Sequence, residues 1–82
     1  MIVSFRHKGL KQLFERGNRR GLNPQHVEKI ENILGLLDVA QKIEDMDGDL
    51  KGFWSVTVRA NWRIIFRFES GNAFEVDLLD YH

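Results

Sequence analysis

The chain has 82 residues, with 12 basic and 12 acidic side chains, a formal net charge of zero and no cysteine. This length predicts a single small domain over residues 1–82, and the missing cysteines exclude disulfides and thiolate metal sites. Zero net charge argues against indiscriminate attraction to nucleic acid, and no apolar run approaches the roughly 20 residues of a membrane span, so we expect a soluble cytoplasmic protein without membrane contact.

Charge is distributed unevenly along the sequence. Six basic residues and a single acid, Glu15, lie within residues 1–20, whereas residues 28–51 hold seven acids and three lysines. This separation of basic and acidic residues suits a domain that binds two partners of opposite charge. Ordinary mixing of surface charge produces the same pattern, so both interpretations stay open.

A short strand and a helix are predicted at the start of the chain. Residues 2–5 are β-prone. Lys8 to Glu15 carries Leu10, Leu13 and Phe14 at helical spacing, and Gly17 is a typical stop signal.

A second helix is predicted to begin at Asn23 and Pro24, a helix cap followed by a residue whose missing N–H costs nothing in the first turn. It is expected to end near Ala40 or Ile43. Its apolar stripe comprises Val27, Ile30, Leu34 and Leu37, widened by Ile33, Leu36 and Ala40. The acidic, glycine-bounded residues 44–52 that follow predict a loop.

Three strands are predicted in the second half of the chain. They run over residues 53–59, 62–69 and 73–79, with turns at Ala60-Asn61 and at residues 70–72. The order is therefore strand, helix, helix, strand, strand, strand. It predicts an α+β fold, in which a helical hairpin covers one face of a mainly antiparallel sheet and leaves the other face uncovered.

The two sides of these strands differ in chemistry, because residues 56–68 alternate with a period of two. The apolar side comprises Val56, Val58, Trp62, Ile64, Phe66 and Phe68, and Phe74, Val76 and Leu78 are expected to join it. The uncovered side comprises Thr57, Arg59, Arg63, Ile65 and Arg67, with Glu75 and Asp77 of the last strand.

The three strand arginines have two interpretations. Glu75 and Asp77 can neutralise Arg63 and Arg67 across strands, for about 0.2–1 kcal/mol per pair. Alternatively the guanidinium groups bind phosphate, since they stay charged near neutrality and present five N–H donors in a planar fork.

The chain ends in Asp80, Tyr81 and His82, beside this face. A His or Tyr that transfers protons next to arginines that stabilise charge suits a phosphoryl reaction, although such an end is also typical of a frayed tail. His7 and His26 are predicted to be structural. The acids of residues 44–49 lack the spacing of a calcium loop, so no metal site and no cofactor are expected.

Three stretches of the sequence are distinctive: residues 5–11 (FRHKGLK), 52–68 (GFWSVTVRANWRIIFRF) and 80–82 (DYH). Together they resemble the HigB toxins of the RelE/ParE superfamily, the toxin halves of bacterial toxin–antitoxin systems, also called plasmid-maintenance killer proteins. The resemblance covers nearly the whole chain and is most specific at Asn61-Trp62-Arg63 and at the terminal Asp-Tyr-His. It implies a RelE-like fold, a compact sheet with a helical hairpin.

The resemblance also implies a ribosome-dependent endoribonuclease that cuts messenger RNA in the decoding site of the small subunit without a metal. Arg63 matches the arginine that stabilises the phosphate, and Tyr81 and His82 match the terminal pair that orients the nucleotide and assists proton transfer. Asp80 would position the RNA or a neighbouring side chain. The RNA-binding residues would be Arg59, Arg67, Lys8, Lys11 and Lys51. The implied partner is a HigA-like helix-turn-helix antitoxin, through which alone the toxin meets operator DNA.

The sequence departs from the family between the second helix and the second strand. The family has a longer segment there, with a His-Pro-Leu-Lys-Gly-like motif that supplies a catalytic His and Lys. Residues 44–51 are shorter and contain neither His nor Pro. A deletion, a naturally short segment and an omitted segment all fit this departure, and we expect impaired cleavage. The competing functions are an inactive module that binds the antitoxin and a stand-alone RNA-binding domain.

Overall fold

The computed structural model describes residues 1–40 and 53–80, so the predicted loop at 44–52, with Lys51, and the terminal Tyr81 and His82 lie outside the described residues. Two helices precede three strands: α1 (Lys8–Arg16), α2 (Pro24–Val39), β1 (Trp54–Arg59), β2 (Trp62–Glu69) and β3 (Asn72–Asp80). The strands form an antiparallel sheet in the order β1-β2-β3. The predicted α+β fold is confirmed. Within the described residues, neither helix combines the length and apolar character that crossing a membrane requires.

Side chains of the sequence itself define the helix ends. Nδ1 of His7 accepts a hydrogen bond from the Leu10 backbone N–H at 3.2 Å, so this histidine caps α1 and has the structural role predicted for it. Gly17 ends α1 with φ at 69°, a left-handed conformation that glycine adopts without steric cost. The Asn23 side chain accepts from the Gln25 N–H at 2.9 Å and begins α2.

Both helices pack on one face of the sheet. The core joins residues from every helix and strand, and its fully enclosed members are Leu10, Ile30, Leu37, Ile64, Phe66, Ala73 and Val76. The predicted stripe of α2 is buried except at Ala40, which is half-buried at the end of the helix, and at Leu36. Leu36 is 67% exposed, because it lies 100° from Leu37 around the helix, on the side away from the sheet.

The predicted first strand forms two separate bridges instead of a strand. Ile2 pairs with Ala73 and Phe5 with Val76, both in parallel orientation. Between these bridges Glu75 has φ at 55°, and its backbone N–H donates to Oγ of Ser4 at 2.9 Å. This left-handed residue interrupts the ladder between the two bridges.

Phe74 lies on the face opposite to the predicted one. Ile65 pairs with Asp77 but Arg67 pairs with Phe74, so β3 contains an extra residue between these two pairs. A bulge of this kind reverses the face of the residues beyond it. Phe74 therefore lies beside Arg67, with the arginine Cζ 5.3 Å from its ring centroid, and the prediction that it joins the apolar side is wrong.

Candidate functional site

The sheet face opposite the helices is called the open face below. The strand register assigns to it Ser55 and Thr57 of β1, Arg63, Ile65 and Arg67 of β2, and Phe74, Asp77 and Leu79 of β3. The helices leave this face uncovered, as predicted, but its centre is not exposed to solvent. Ser55 is 2% exposed and Ile65 is 9% exposed. Ile65 is buried without belonging to the core cluster. The open face thus has an enclosed centre, which Arg63 and Arg67 flank along β2.

Arg63 occupies the middle strand of the sheet, opposite Thr57 on one side and Leu79 on the other. Its guanidinium points away from the helices: Nη1 donates a hydrogen bond to Oγ of Ser55 at 3.0 Å. The side chain is partly buried and lies outside the apolar core. A fixed positive charge on the open face matches the position that the sequence predicts for Arg63.

Asp80 ends β3 at the same end of the sheet as Arg63. It pairs with Trp62, whereas its neighbour Leu79 pairs with Arg63. Paired residues share a face, so the register assigns Asp80 to the side of Trp62 rather than to the open face. Asp80 and Arg63 are consequently close along the sheet but on different faces of it. Tyr81 and His82, the predicted proton-transfer pair, follow directly in the sequence and lie outside the described residues.

Arg67 is neutralised within the chain. Its Nε lies 2.6 Å from Oε2 of Glu75, and both side chains are about two-fifths exposed. The predicted pairing is therefore confirmed for Arg67. Between the described residues Arg63 and Asp77 no ion pair forms, and Oδ1 of Asp77 instead accepts from the Leu78 backbone N–H at 2.9 Å.

Arg59 does not join the other strand arginines. The β1–β2 register shifts between Thr57 and Arg59, which pairs Arg59 with Trp62 on the side of the helices. Its Nη1 donates to Oε1 of Gln25 at 3.3 Å, at the beginning of α2. The prediction of three arginines on one face is therefore wrong, because a bulge displaces Arg59.

The other predicted RNA contacts lie apart from Arg63. Lys8 and Lys11 are exposed on α1, in the helical layer, and Lys51 lies outside the described residues. Near the start of α2, His26 is buried with its ring centroid 5.7 Å from that of Trp62. This packing attaches the start of β2 to α2, which agrees with the structural role predicted for His26.

Sequence reasoning missed Ser55. A single serine in a strand gives no functional signal of its own. Its position is informative only after the register is known, because Ser55 then lies diagonally across from Arg63 on the same face. Hydroxyl groups at such diagonal positions are within reach of long side chains on the neighbouring strand.

Residues 1–40 and 53–80 contain no cluster of three or more histidines and acids that could hold a metal ion. The acidic residues 44–49 lie outside this part of the chain. In the same described part, every fully buried polar side-chain atom has a hydrogen-bond partner.

A family model described as the HigB-like RelE-like toxin of type II toxin–antitoxin systems matches residues 3–82. A protein of Proteus vulgaris named "Endoribonuclease HigB" is 45% identical over 92 residues, and the match covers the whole of both chains. A protein of Vibrio cholerae serotype O1 named "Toxin HigB-1" is 32% identical over 94 residues, covering all of this chain and 98% of the relative. The match to the Proteus vulgaris protein has more positions than the 82 residues of this chain, which is therefore the shorter of the two.

Proposed function

This chain belongs to the HigB-like family of RelE-like toxins of type II toxin–antitoxin systems, and from that premise we propose that it cuts messenger RNA in the decoding site of the small ribosomal subunit. The observation that supports the proposal best is Arg63, a permanent positive charge anchored on the open face beside β3, the strand that ends at Asp80 and that Tyr81 and His82 follow in the sequence. Action on ribosomes makes the cytoplasm its location.

The RNA supplies the nucleophile of this reaction. The ribose 2′ oxygen forms a bond to the adjacent phosphorus while the bond from phosphorus to the 5′ oxygen breaks. One proton leaves the 2′-hydroxyl and one reaches the departing 5′ oxygen, so no co-reactant is consumed. Negative charge accumulates on the crowded phosphate, and fixed positive charge lowers the energy of that state.

The proposed roles follow from these needs. Arg63 donates hydrogen bonds to the phosphate oxygens, for which its planar fork of N–H groups is suited. Tyr81 and His82 orient the nucleotide and assist proton transfer, since the imidazole exchanges protons near neutrality. Asp80 positions the RNA or a neighbouring side chain.

The remaining basic residues serve binding rather than chemistry. Lys8, Lys11 and Arg59 belong to the helical side of the fold, and Arg67 belongs to the open face. Lys8, Lys11 and Arg59 are exposed, and Arg67 is exposed beside its partner Glu75, so basic groups face more than one direction. Lys51 is proposed as a further contact and lies outside the described residues. Such dispersed charge suits a protein enclosed by ribosomal RNA, because phosphate contacts supply affinity without sequence information.

We further propose that cleavage by this chain is slow. The segment between α2 and β1 contains no His and no His-Pro-Leu-Lys-Gly-like motif, and the relative named as an endoribonuclease is longer. Loss of a general acid or base typically lowers a rate by about 10²–10⁴-fold.

A translation extract tests both parts of the proposal. The chain is added to programmed ribosomes, and new messenger RNA ends are mapped in parallel with the same RNA lacking ribosomes. Slow cleavage that requires ribosomes, and faster cleavage after a His-Pro-Leu-Lys-Gly-containing segment is inserted between residues 44 and 52, are expected. Fast cleavage by the unaltered chain would contradict the proposal that its cleavage is slow. Absence of cleavage by both forms would overturn the nuclease assignment.

A second function, an inactive module that binds the antitoxin, is favoured by the outer surface of α2. Leu36 and Val39 expose apolar side chains there, and Phe14 of α1 is partly exposed. The family implies an antitoxin partner, which we propose is a HigA-like helix-turn-helix protein that brings the complex to operator DNA.

Co-elution with candidate antitoxins tests this second function. Leu36→Asp should weaken the complex if the outer surface of α2 is the contact. Arg63→Glu should leave it intact, because Arg63 lies on the opposite side of the sheet from the helices. If Arg63→Glu abolished the complex and Leu36→Asp did not, the antitoxin would bind the open face instead.

A further inference from the structure

Ser55 carries a buried hydroxyl that the proposed mechanism leaves unused. The residue lies on β1, an edge strand of the three-stranded sheet, and is 2% exposed. Its Oγ accepts the hydrogen bond from Nη1 of Arg63 at 3.0 Å, a normal length for a contact to a charged donor. Burial keeps competing water away from this bond.

The neighbouring Thr57 shows that proximity alone does not produce this contact. Thr57 pairs directly with Arg63 across the two strands, whereas Ser55 pairs with Ile65 and reaches Arg63 diagonally. Thr57 is nevertheless exposed, and Nη1 of Arg63 donates to Ser55 rather than to Thr57. The guanidinium is therefore turned along β2 toward the enclosed centre of the open face.

The orientation of an arginine matters because its donors form a rigid plane. Four torsions of the side chain separate the guanidinium from the backbone, and a bond at Nη1 restricts them together. Holding Nη1 narrows the range of directions in which the other N–H groups can point. Preorganised donors stabilise developing charge without reorganising during the reaction.

We propose that Ser55 is a positioning residue that holds the guanidinium of Arg63 in the orientation needed to bind the phosphate of the RNA. The inference rests on the proposed function for its catalytic consequence, but the restraint on Arg63 exists independently of it. Ser55 does not contact the reacting atoms in this account. It acts through Arg63.

The restraint is measured by nuclear magnetic resonance on the full chain, without any requirement for cleavage. Resolved guanidinium Nη proton signals are expected for Arg63 in the unaltered chain and in Thr57→Ala. In Ser55→Ala these signals should shift, and exchange between the Nη1 and Nη2 protons should become faster than in the unaltered chain. Unchanged Arg63 signals in a folded Ser55→Ala chain would overturn the proposal.

The catalytic consequence is measured as single-turnover messenger RNA cleavage with programmed ribosomes in excess. Ser55→Ala should lower the maximal rate about tenfold, the loss expected for one hydrogen bond to a charged group, and leave the half-saturating ribosome concentration unchanged. Thr57→Ala is the matched control and should retain the rate. Ser55→Cys, which leaves no cavity but is a weak acceptor, should resemble Ser55→Ala and controls for a cavity effect.

The double variant Ser55→Ala/Arg63→Ala distinguishes a failure of the role of Ser55 from a failure of the proposed function. If Ser55 acts through Arg63, adding Ser55→Ala to Arg63→Ala should cause no further loss of rate. A further tenfold loss in the double variant would overturn the role of Ser55 but not the proposed function. A normal rate in Ser55→Ala together with a slow rate in Arg63→Ala would do the same. A normal rate in Arg63→Ala would instead overturn the proposed function.

Discussion

The two faces of β2 are stabilised by different forces. Ile64 and Phe66 point toward the helices and are completely buried. Arg63 and Arg67 alternate with them and point to the open face, where Ser55 and Glu75 supply polar partners. The sheet face that packs against the helices, the covered face, is stabilised by the removal of apolar surface from water. The open face is stabilised by individual hydrogen bonds. The difference indicates that stability resides on one face and that the other is free to carry chemistry.

The largest effect should come from Phe66→Ala. This substitution opens a cavity at a fully buried position on the covered face and should lower the free energy of unfolding by about 3–5 kcal/mol. Urea denaturation measures it. A loss below about 1 kcal/mol, in the range expected of an exposed site, would break the contrast between the faces.

A polar contact on the covered side should have an intermediate effect. Oδ1 of Asp38 in α2 accepts a hydrogen bond from the Ile2 backbone N–H at 2.9 Å and attaches the first residues to the helical layer. Asp38→Ala leaves that donor without its partner and should cost about 1–3 kcal/mol. Thermal denaturation measures the loss, with Asp38→Asn, which retains an acceptor oxygen, as the control. Equal losses in both variants would show that the hydrogen bond is not what matters.

The smallest effect should come from the ion pair on the open face. Arg67 and Glu75 are both more than one-third exposed, so solvent screens their attraction. A double-mutant cycle with Arg67→Ala and Glu75→Ala should give a coupling energy below about 1 kcal/mol, which decreases as salt increases. A coupling above about 2 kcal/mol that resists salt would mean that the open face also contributes substantially to the fold.

Local signals predicted most of the fold correctly. Asn23 and Gly17 mark helix ends because capping depends on a few adjacent residues. The alternation within β2 predicted that Ile64 and Phe66 are buried and that Arg63 and Arg67 are not, because side chains of a regular strand alternate between faces. These properties need no knowledge of the rest of the chain.

The errors lie at the two irregularities of the sheet. The bulge with a left-handed conformation at Glu75 places Phe74 on the face opposite to the one that simple alternation predicts. The register shift beyond Thr57 does the same to Arg59. Glycine within a strand often marks a bulge, and neither irregularity contains one. The hydrogen bond from Arg63 to Ser55 depends on the same register and was beyond prediction for the same reason.

Cleavage rates of Arg63→Ala and Arg67→Ala on programmed ribosomes test the central claim most directly. Both variants remove one guanidinium from the same face of the same strand, and neither residue belongs to the apolar core, so both variants should remain folded. Arg63→Ala also removes the partner of the buried Ser55 hydroxyl and should therefore melt at a somewhat lower temperature. Loss of a donor to the developing charge should slow Arg63→Ala by about 10²–10³-fold, while Arg67→Ala should lose much less because Glu75 already neutralises that arginine. Equal rates for the two folded variants would contradict the assignment of phosphate stabilisation to Arg63.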